Sequence, residues 1–404
     1  MLILRIVAAI GAVLVLAGVL WDAFETVVLP RRISRRFRLA RLYFRGTWGF
    51  WSALVRRVPS LARREAFLAI YGPLALLLLL AFWAILLIVG FAALLWGLGS
   101  PLAIANGAAA NFGADLYFSG TTFLTLGLGD VTPMTSAARG ITVVEVGTGF
   151  GMLALVIGYL PVLYQAFSRR ETRISLLDAH AGSPPSAGAL LLRHPPVTRA
   201  RRLTSILSEW EDWSSDLLET HLSYPVLAYY RSQHENQSWV AALTMVMDAC
   251  ALVLTCGRGL VGEEQELLTE QAAFTFAMAR HAAVDLAQVF HTSSIPTFTA
   301  YTPDTRLPSA ERARLQVLFA EVGGVPEGVS DGELEGMVAT LDELRALYEP
   351  YLEGMATFLL MALPPWVPEP GALDDWQTTA DENTAPAIAD LGPRRRSRTR
   401  GYAR

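Results

Sequence analysis

A short run near the middle of the chain combines oxygen donors with two closely spaced glycines. In residues 125–130, which read TLGLGD, Gly127 and Gly129 occupy alternate positions, and glycine adopts left-handed backbone angles at little cost. Such a backbone can turn successive carbonyls toward one axis, where they can replace the water around a dehydrated cation. The Thr125 hydroxyl can add an oxygen at one end of the run, and the Asp130 carboxylate can gather cations at the other.

Two long apolar segments flank this run. Residues 66–98 contain no charged side chain, and residues 140–167 contain only Glu145. A bilayer core of about 30 Å needs roughly 20 apolar residues of helix, so both segments are predicted to span a membrane. Between them we expect an outer loop at 97–112 and a short helix at 115–124 that enters the membrane and ends at the run. Non-helical backbone at that depth is tolerated only where it lines water or protein.

The TxGxGD pattern, its Thr-rich approach from Thr121 and the nearby Pro133 resemble the selectivity filter of potassium channels. The resemblance covers about residues 66–167, and a glycine-rich turn in another kind of membrane protein is the alternative. The resemblance to potassium channels implies an ion-binding filter formed by Thr125, Leu126, Gly127, Leu128, Gly129 and Asp130, with potassium ions at the first four of these residues.

Two positions depart from the usual pattern of that family. Leu128 stands where most members carry an aromatic side chain behind the filter, so a weakly selective cation channel of the same fold is an alternative. Thr121 stands where some bacterial members have a glutamate. Because Glu145 is a lone acid in an apolar segment, we expect it to pack behind the filter and supply that carboxylate.

The segment 140–167 also carries several glycines and a proline. Gly147 and Gly151 form a GxxxG pattern, which lets helices approach closely. By its distance from the filter, Gly149 matches the hinge glycine of the family's inner helix, and Pro161 could bend the cytoplasmic end. Gly149 and Pro161 are therefore candidate gating residues, with close helix packing as the other interpretation of the glycines.

The chain before the pore region divides into two parts. Residues 1–30 hold an apolar run with no small-residue cleavage site after it, which predicts a retained transmembrane helix with Asp22 and Glu25 at the membrane interface. Residues 31–65 are rich in Arg and aromatic side chains. The positive-inside rule makes this segment cytoplasmic, and its aromatics predict an amphipathic helix at the inner membrane surface.

These assignments predict three spans and one re-entrant pore loop, with Met1 outside. The chain contains one filter sequence, whereas a ring of carbonyls around an ion takes four loops. We therefore expect a C4 homotetramer. The expected location is the inner (plasma) membrane, with the C-terminal domain in the cytoplasm.

The remaining chain is predicted to be a linker at 168–198, a cytoplasmic helical domain at 199–366 and a disordered tail at 367–404. The predicted helices of the domain lie near 199–220, 236–256, 263–292, 309–322 and 331–363. Residues 239–256 are apolar enough for a fourth span, but Asp248 in the middle favours a buried core helix. No glycine-rich dinucleotide-binding motif follows a strand here.

Composition limits the class of protein. The chain of 404 residues is 52% hydrophobic with a mean hydropathy of +0.36, which is too apolar for an ordinary soluble protein. Together with the helical segments described above, this composition predicts an all-α membrane protein. Neither a catalytic constellation nor metal-ligand spacing of histidines is visible, so we expect no enzyme and no cofactor besides permeant potassium. Expected partners are copies of the chain, membrane lipids and an unknown ligand or protein at the cytoplasmic domain, but not nucleic acid. A membrane-anchored sensor or scaffold with a vestigial pore is the alternative of another class.

Overall fold

The computed structural model describes residues 2–29, 38–105, 107–182, 185–232, 237–256, 262–290, 292, 306–322 and 331–367. The chain forms two compact units. The membrane unit contains Met1–Phe167 and Leu222–Arg231, and the second unit contains Ser168–His221 and Ser232–Arg404. The predicted tail 367–404 lies outside the described residues, apart from its first residue.

The membrane unit begins with three helices, α1 (Leu2–Val27), α2 (Leu39–Val55) and α3 (Leu61–Gly97). α1 packs along α3 through the apolar side chains of Leu16 and Val19. Gly90 and Gly97 of α3 permit this approach, because a β-carbon at either position would lie 2.8 Å from an atom of α1. Small residues therefore set the distance between the two helices.

Two carboxylates near the end of α1 are buried rather than exposed at an interface. Asp22 is 4% exposed and Glu25 is 6% exposed. An Asp22 oxygen accepts hydrogen bonds from the Ala40 amide at 3.0 Å and from the Trp83 indole at 3.1 Å. The Trp21 indole donates to Glu25 at 2.6 Å. These bonds offset the cost of burial. The two bonds to Asp22 also connect α1 to the start of α2 and to the middle of α3.

The chain continues with β1 (Leu102–Ile104), α4 (Phe112–Phe123), β2 (Val131–Pro133) and α5 (Ser136–Ala181). Asn111 caps α4, since its side chain accepts a hydrogen bond from the Ala114 amide at 3.1 Å. The two strands pair antiparallel, with Ala103 opposite Thr132. The predicted outer loop thus contains a strand, and that strand pairs with the segment immediately after the run 125–130.

The segment 168–198, predicted to be a linker, is mostly helical. α5 continues unbroken to Ala181, and α6 (Ala187–Arg193) follows after a short interval. The Ser186 side chain caps α6 by accepting a hydrogen bond from the Ala189 amide at 3.3 Å.

The second unit continues with α7 (Pro196–Ser223), α8 (Trp239–Cys256), α9 (Glu263–Val289), α10 (Ser309–Val322), α11 (Asp331–Ala346) and α12 (Glu349–Leu359). The single helix predicted at 331–363 is therefore two helices. Pro350 lies in the first turn of α12, where its fixed backbone angle favours a helix start. A ten-residue segment within the predicted domain 199–366, Leu222–Arg231, belongs to the membrane unit instead.

Among the residues that the structure describes, four helices are long and apolar enough to cross a membrane: α1, α3, α5 and α8. α8 differs from the others because 94% of its apolar window is buried by the packing of its own unit, against 17% for α1 and α5. Asp248 of α8 pairs with Arg306 at 2.6 Å and accepts a hydrogen bond from the Tyr348 hydroxyl at 2.5 Å. α8 is thus the central core helix of the second unit, with its charge neutralised inside.

Candidate functional site

The run 125–130 has the alternating backbone that its glycines predicted. Thr125, Gly127 and Gly129 have φ angles of +59°, +53° and +80°, whereas Leu126 and Leu128 between them do not adopt positive φ. Thr125 does so without the freedom of glycine, which costs free energy and marks a constrained position. Alternating signs of φ let a chain run extended while successive carbonyls face one side, which a carbonyl-lined cation site requires.

The end of α4 determines where this backbone begins. The Thr121 carbonyl accepts hydrogen bonds from the Leu126 amide at 2.7 Å and the Gly127 amide at 3.4 Å. The Thr122 carbonyl accepts one from the Thr125 amide at 3.0 Å. The last carbonyls of a helix lack partners within the helix, and here the amides of the run supply them. The pore helix and the run are therefore one hydrogen-bonded element.

The outer end of the run is held by two contacts. The Asp130 carbonyl accepts a hydrogen bond from the Ala105 amide at 2.9 Å, which extends the ladder between β1 and β2. The Tyr117 hydroxyl of α4 donates to the Asp130 carboxylate at 2.9 Å. The sequence predicts Asp130 at the outer mouth but neither of these two contacts. Tyr117, thirteen residues before Asp130, is the residue that could have suggested the second one.

The inner side of α4 touches α5 at Gly149. A β-carbon at Gly149 would collide with the Phe123 carbonyl oxygen and would lie 3.0 Å from the carbonyl carbon. The neighbouring glycines differ, because a β-carbon at Gly147 or Gly151 would meet nothing within 4 Å in this chain. Gly149 is thus a point of close packing between α5 and the end of the pore helix.

Glu145 lies one turn earlier on α5 and is completely buried. It lies beside Ser119 of α4, which is also completely buried. Among the described residues, neither carboxylate oxygen of Glu145 has a hydrogen-bond partner, and the Ser119 hydroxyl has none either. A buried polar group without a partner is rare and calls for a specific explanation. The carboxylate expected behind the filter thus faces the pore helix.

Pro161 lies inside α5, which continues through it without interruption. On either side, Tyr159 and Leu163 are buried in a cluster that includes Val226 and Leu227 of the segment Leu222–Arg231. The part of α5 around Pro161, a candidate for bending, therefore packs against residues that were predicted to belong to the cytoplasmic domain 199–366.

The side chains of the run itself lack cover. Leu126 is 61% exposed and Leu128 is 63% exposed in the single chain. Within the described residues there is no group of three or more His, Cys, Asp and Glu side chains that could hold a metal ion.

Residues 74–165 match a family model described as "Ion channel". The match begins in α3, includes α4 and the run 125–130, and ends in α5. This segment is therefore similar to the ion channels of that family. The match covers less than a quarter of the 404 residues, and neither the curated proteins nor the solved structures include a match to the chain.

The protein is built mainly from helices and is a membrane protein, in agreement with the prediction from its apolar composition and helical segments. Its family match covers every candidate site residue: Thr125, Leu126, Gly127, Leu128, Gly129, Asp130, Glu145, Gly149 and Pro161. The structure groups these residues at two places. The run and its supports lie at the end of the pore helix, and Pro161 lies farther along α5 beside the segment Leu222–Arg231.

Proposed function

We propose that this protein is a potassium-selective channel whose filter is the run 125–130. The observation that carries the proposal is the alternation of positive φ at Thr125, Gly127 and Gly129 directly after the pore helix. Ions would be held by backbone carbonyls from Thr125 to Gly129 and would move by multi-ion transit. Asp130 would raise the local cation concentration at the outer mouth.

Four chains are needed to complete such a filter, because one run can face an ion from only one side. A closed ring of identical loops has cyclic symmetry, and we propose a C4 homotetramer. The exposed Leu126 and Leu128 side chains support this assembly, since a neighbouring pore helix would cover them. Exposed apolar residues along α5, including Val143 and Phe150, are equally suited to contact neighbouring chains or lipid.

In the proposed topology α1, α3 and α5 cross the inner membrane, and the second unit lies in the cytoplasm. The basic segment before α3 would then be inside, as the positive-inside rule requires. α2 supports this placement, because Leu42, Phe50 and Leu54 are exposed on a helix that also exposes Arg45. Such a helix fits the boundary between lipid headgroups and acyl chains.

Leu128 is the reason to keep a weakly selective cation channel as the second candidate. An aliphatic side chain cannot make the hydrogen bond that an aromatic residue with a polar group can make at this position. The Tyr117–Asp130 hydrogen bond at 2.9 Å gives the filter another support on the same side. Selectivity would then depend on a brace at the outer end rather than on residue 128.

The test is cation flux from liposomes that contain the purified full-length protein, with potassium and sodium measured separately. The variant Gly127→Ala puts a side chain on a residue with φ of +53°, which costs about 1–2 kcal/mol in each chain. We expect potassium-selective flux from the wild type and its loss in Gly127→Ala. Gly18→Ala is the matched control, because a β-carbon there meets nothing within 4 Å.

Each other result has a clear meaning. Equal potassium and sodium flux would overturn selectivity and favour the weakly selective channel. Flux that survives in Gly127→Ala would show that ions take another path. No flux of either ion, from protein that is tetrameric by mass measurement, would favour a membrane-anchored sensor or scaffold.

A further inference from the structure

The segment Leu222–Arg231, called the strap here, packs in the membrane unit although the chain on both sides belongs to the second unit. It contains the end of α7 and a 3-10 helix at Pro225–Tyr229, in which Val226, Leu227, Ala228 and Tyr229 are buried. Ten residues that lie in the sequence between two stretches of the second unit are therefore part of the packing of the membrane unit.

One side of the strap contacts the final turns of α5 within the membrane unit. Val226 and Leu227 pack in one cluster with Tyr159, Leu163 and Phe167. The Tyr224 ring lies 5.6 Å from the Tyr159 ring, and the Tyr230 ring lies 5.6 Å from the Phe167 ring, measured between centroids. These contacts enclose the stretch of α5 that contains Pro161.

The other side of the strap contacts α2 and α3. The Tyr229 ring lies 5.1 Å from the Trp48 ring and 5.3 Å from the Tyr71 ring. A β-carbon at Gly72 would lie 2.8 Å from Cδ2 of Tyr230 and 3.1 Å from the Tyr229 backbone oxygen. Gly72 thus leaves room for the strap to lie directly on the α3 backbone.

A charge contact completes the attachment at the C-terminal end. An Arg231 nitrogen lies 3.7 Å from a Glu65 oxygen, and the Arg231 side chain is 8% exposed. The strap is thereby fixed to α3 at two points, Gly72 and Glu65, seven residues and two helical turns apart. The strap therefore contacts both α3 and the last membrane-unit turns of α5.

The chain before the strap is anchored within the second unit. His221, the residue immediately before it, is completely buried, and its Nε2 lies 3.2 Å from an Arg170 guanidinium nitrogen. Arg170 follows the last membrane-unit residue of α5, Phe167, by three positions. α7 itself runs from Pro196 to Ser223, so the first two residues of the strap are the last two residues of that helix.

We propose that the strap is the element through which the second unit controls the cytoplasmic half of α5. The docked strap ties that half of α5 to α3 and α2, and a rearrangement of the second unit would act on it by loosening or shifting this contact. Control of conduction by this route rests on the proposed channel function. Attachment of α5 by the strap does not, and it can be measured without any ion flux.

The test compares full-length wild type with Gly72→Ala, which pushes the strap off α3. Hydrogen exchange is measured for peptides covering residues 159–167 and 222–231, and potassium and sodium fluxes are measured in liposomes. We expect faster exchange in both peptides and a change in potassium flux of about fivefold or more, the lower end of ordinary coupling between sites. The potassium-to-sodium ratio should stay the same, because the strap does not touch the filter.

Gly46→Ala is the matched control, since a β-carbon there meets nothing within 4 Å. Tyr230→Ala is a second variant that removes the ring over Gly72 and beside Phe167 without adding a clash. Unchanged exchange at 159–167 when the strap peptide is freed would overturn the proposal, whether or not the protein conducts. Unchanged flux through a conducting protein with a freed strap would also overturn it. A wild type that conducts no ions would contradict the proposed function, and exchange would still decide whether the strap holds α5.

Discussion

Gly149 of α5 lies so close to the Phe123 carbonyl, the last of the pore helix, that a β-carbon on Gly149 would collide with its oxygen. The glycine at this position is therefore explained by packing alone. The helix runs unbroken through it, from Ser136 to Ala181. Because Phe123 is followed by the filter, this contact also lets a movement of α5 reach the end of the pore helix directly.

Replacing Gly149 with Ala should therefore damage the fold at the filter. Inserting a methyl group into a filled contact costs about 1–3 kcal/mol, and here the opposing atoms are backbone atoms that cannot rotate away. We expect a lower melting temperature of the detergent-solubilised protein and a loss of ion flux. Gly151→Ala, where a β-carbon meets nothing within 4 Å of the same chain, should keep both properties. Equal effects of the two substitutions would contradict the packing explanation.

Glu145 should influence the filter through Ser119. The carboxylate is completely buried beside that hydroxyl on the pore helix. Glu145→Gln keeps the shape but removes the possibility of a charge, and we expect a severalfold change in the potassium-to-sodium flux ratio or in the rate of inactivation. Ser119→Ala should give a change in the same direction, and the double variant should add little, because the two groups act as one pair. If Glu145→Gln left selectivity and inactivation unchanged, the role assigned to this carboxylate would be wrong.

Tyr117→Phe tests the brace at the outer mouth. The substitution removes only the hydroxyl that donates to Asp130 at 2.9 Å, so the ring and its packing remain. We expect a severalfold lower potassium-to-sodium flux ratio with unchanged expression and assembly. Tyr164→Phe is a suitable control, because Tyr164 is 64% exposed and lies far along α5 from the filter. A flux ratio equal to that of the wild type would show that Asp130 needs no such support.

The second unit should lose stability in mild acid because of His221. Burial and the neighbouring Arg170 guanidinium hold the pKa of His221 well below the ordinary 6.5. The unfolded chain therefore binds a proton more readily than the folded one once the pH falls below about 6.5. Stability is fully present above that pH and falls by about 1.4 kcal/mol per pH unit below it, until the folded pKa is reached.

Thermal unfolding of the full-length protein at pH 7.5 and pH 5.5 measures this effect. His221→Gln should show a smaller loss of stability between the two conditions than the wild type, whatever its stability at pH 7.5. His281→Gln should behave as the wild type does, because the His281 side chain is 62% exposed. Identical acid sensitivity in the wild type and His221→Gln would place the responsible group elsewhere.

The backbone of the run 125–130 could be predicted from the sequence because it depends on residue type. Gly127 and Gly129 are needed for positive φ, and the structure has them there, together with Thr125. The contacts that brace this backbone could not be read in the same way. Tyr117 and Asp130 meet only because α4 ends at Phe123 and the chain then reverses direction. A local sequence pattern does not predict a contact between side chains thirteen residues apart.

Local sequence patterns contained a signal for the break between α11 and α12 but none for the strap. The break between α11 and α12 was signalled by Pro350, but the apolar pattern on both sides suggested one long helix. The strap had no comparable signal. A 3-10 helix of five residues is too short to show a periodicity, and its aromatic side chains fit a soluble core as well as a membrane unit.

The path of the chain at the strap also bears on how this protein can be divided. The chain passes between the two units three times, after Phe167, after His221 and after Arg231. A recombination or truncation at the end of α5 would therefore not yield an independent pore module, because it would leave the aromatic surface of Trp48, Tyr71 and Tyr159 bare. An exchangeable module has its boundary at one point of the sequence. This protein instead could be shortened, or given a different second unit, only by a graft that keeps residues 222–231 in place.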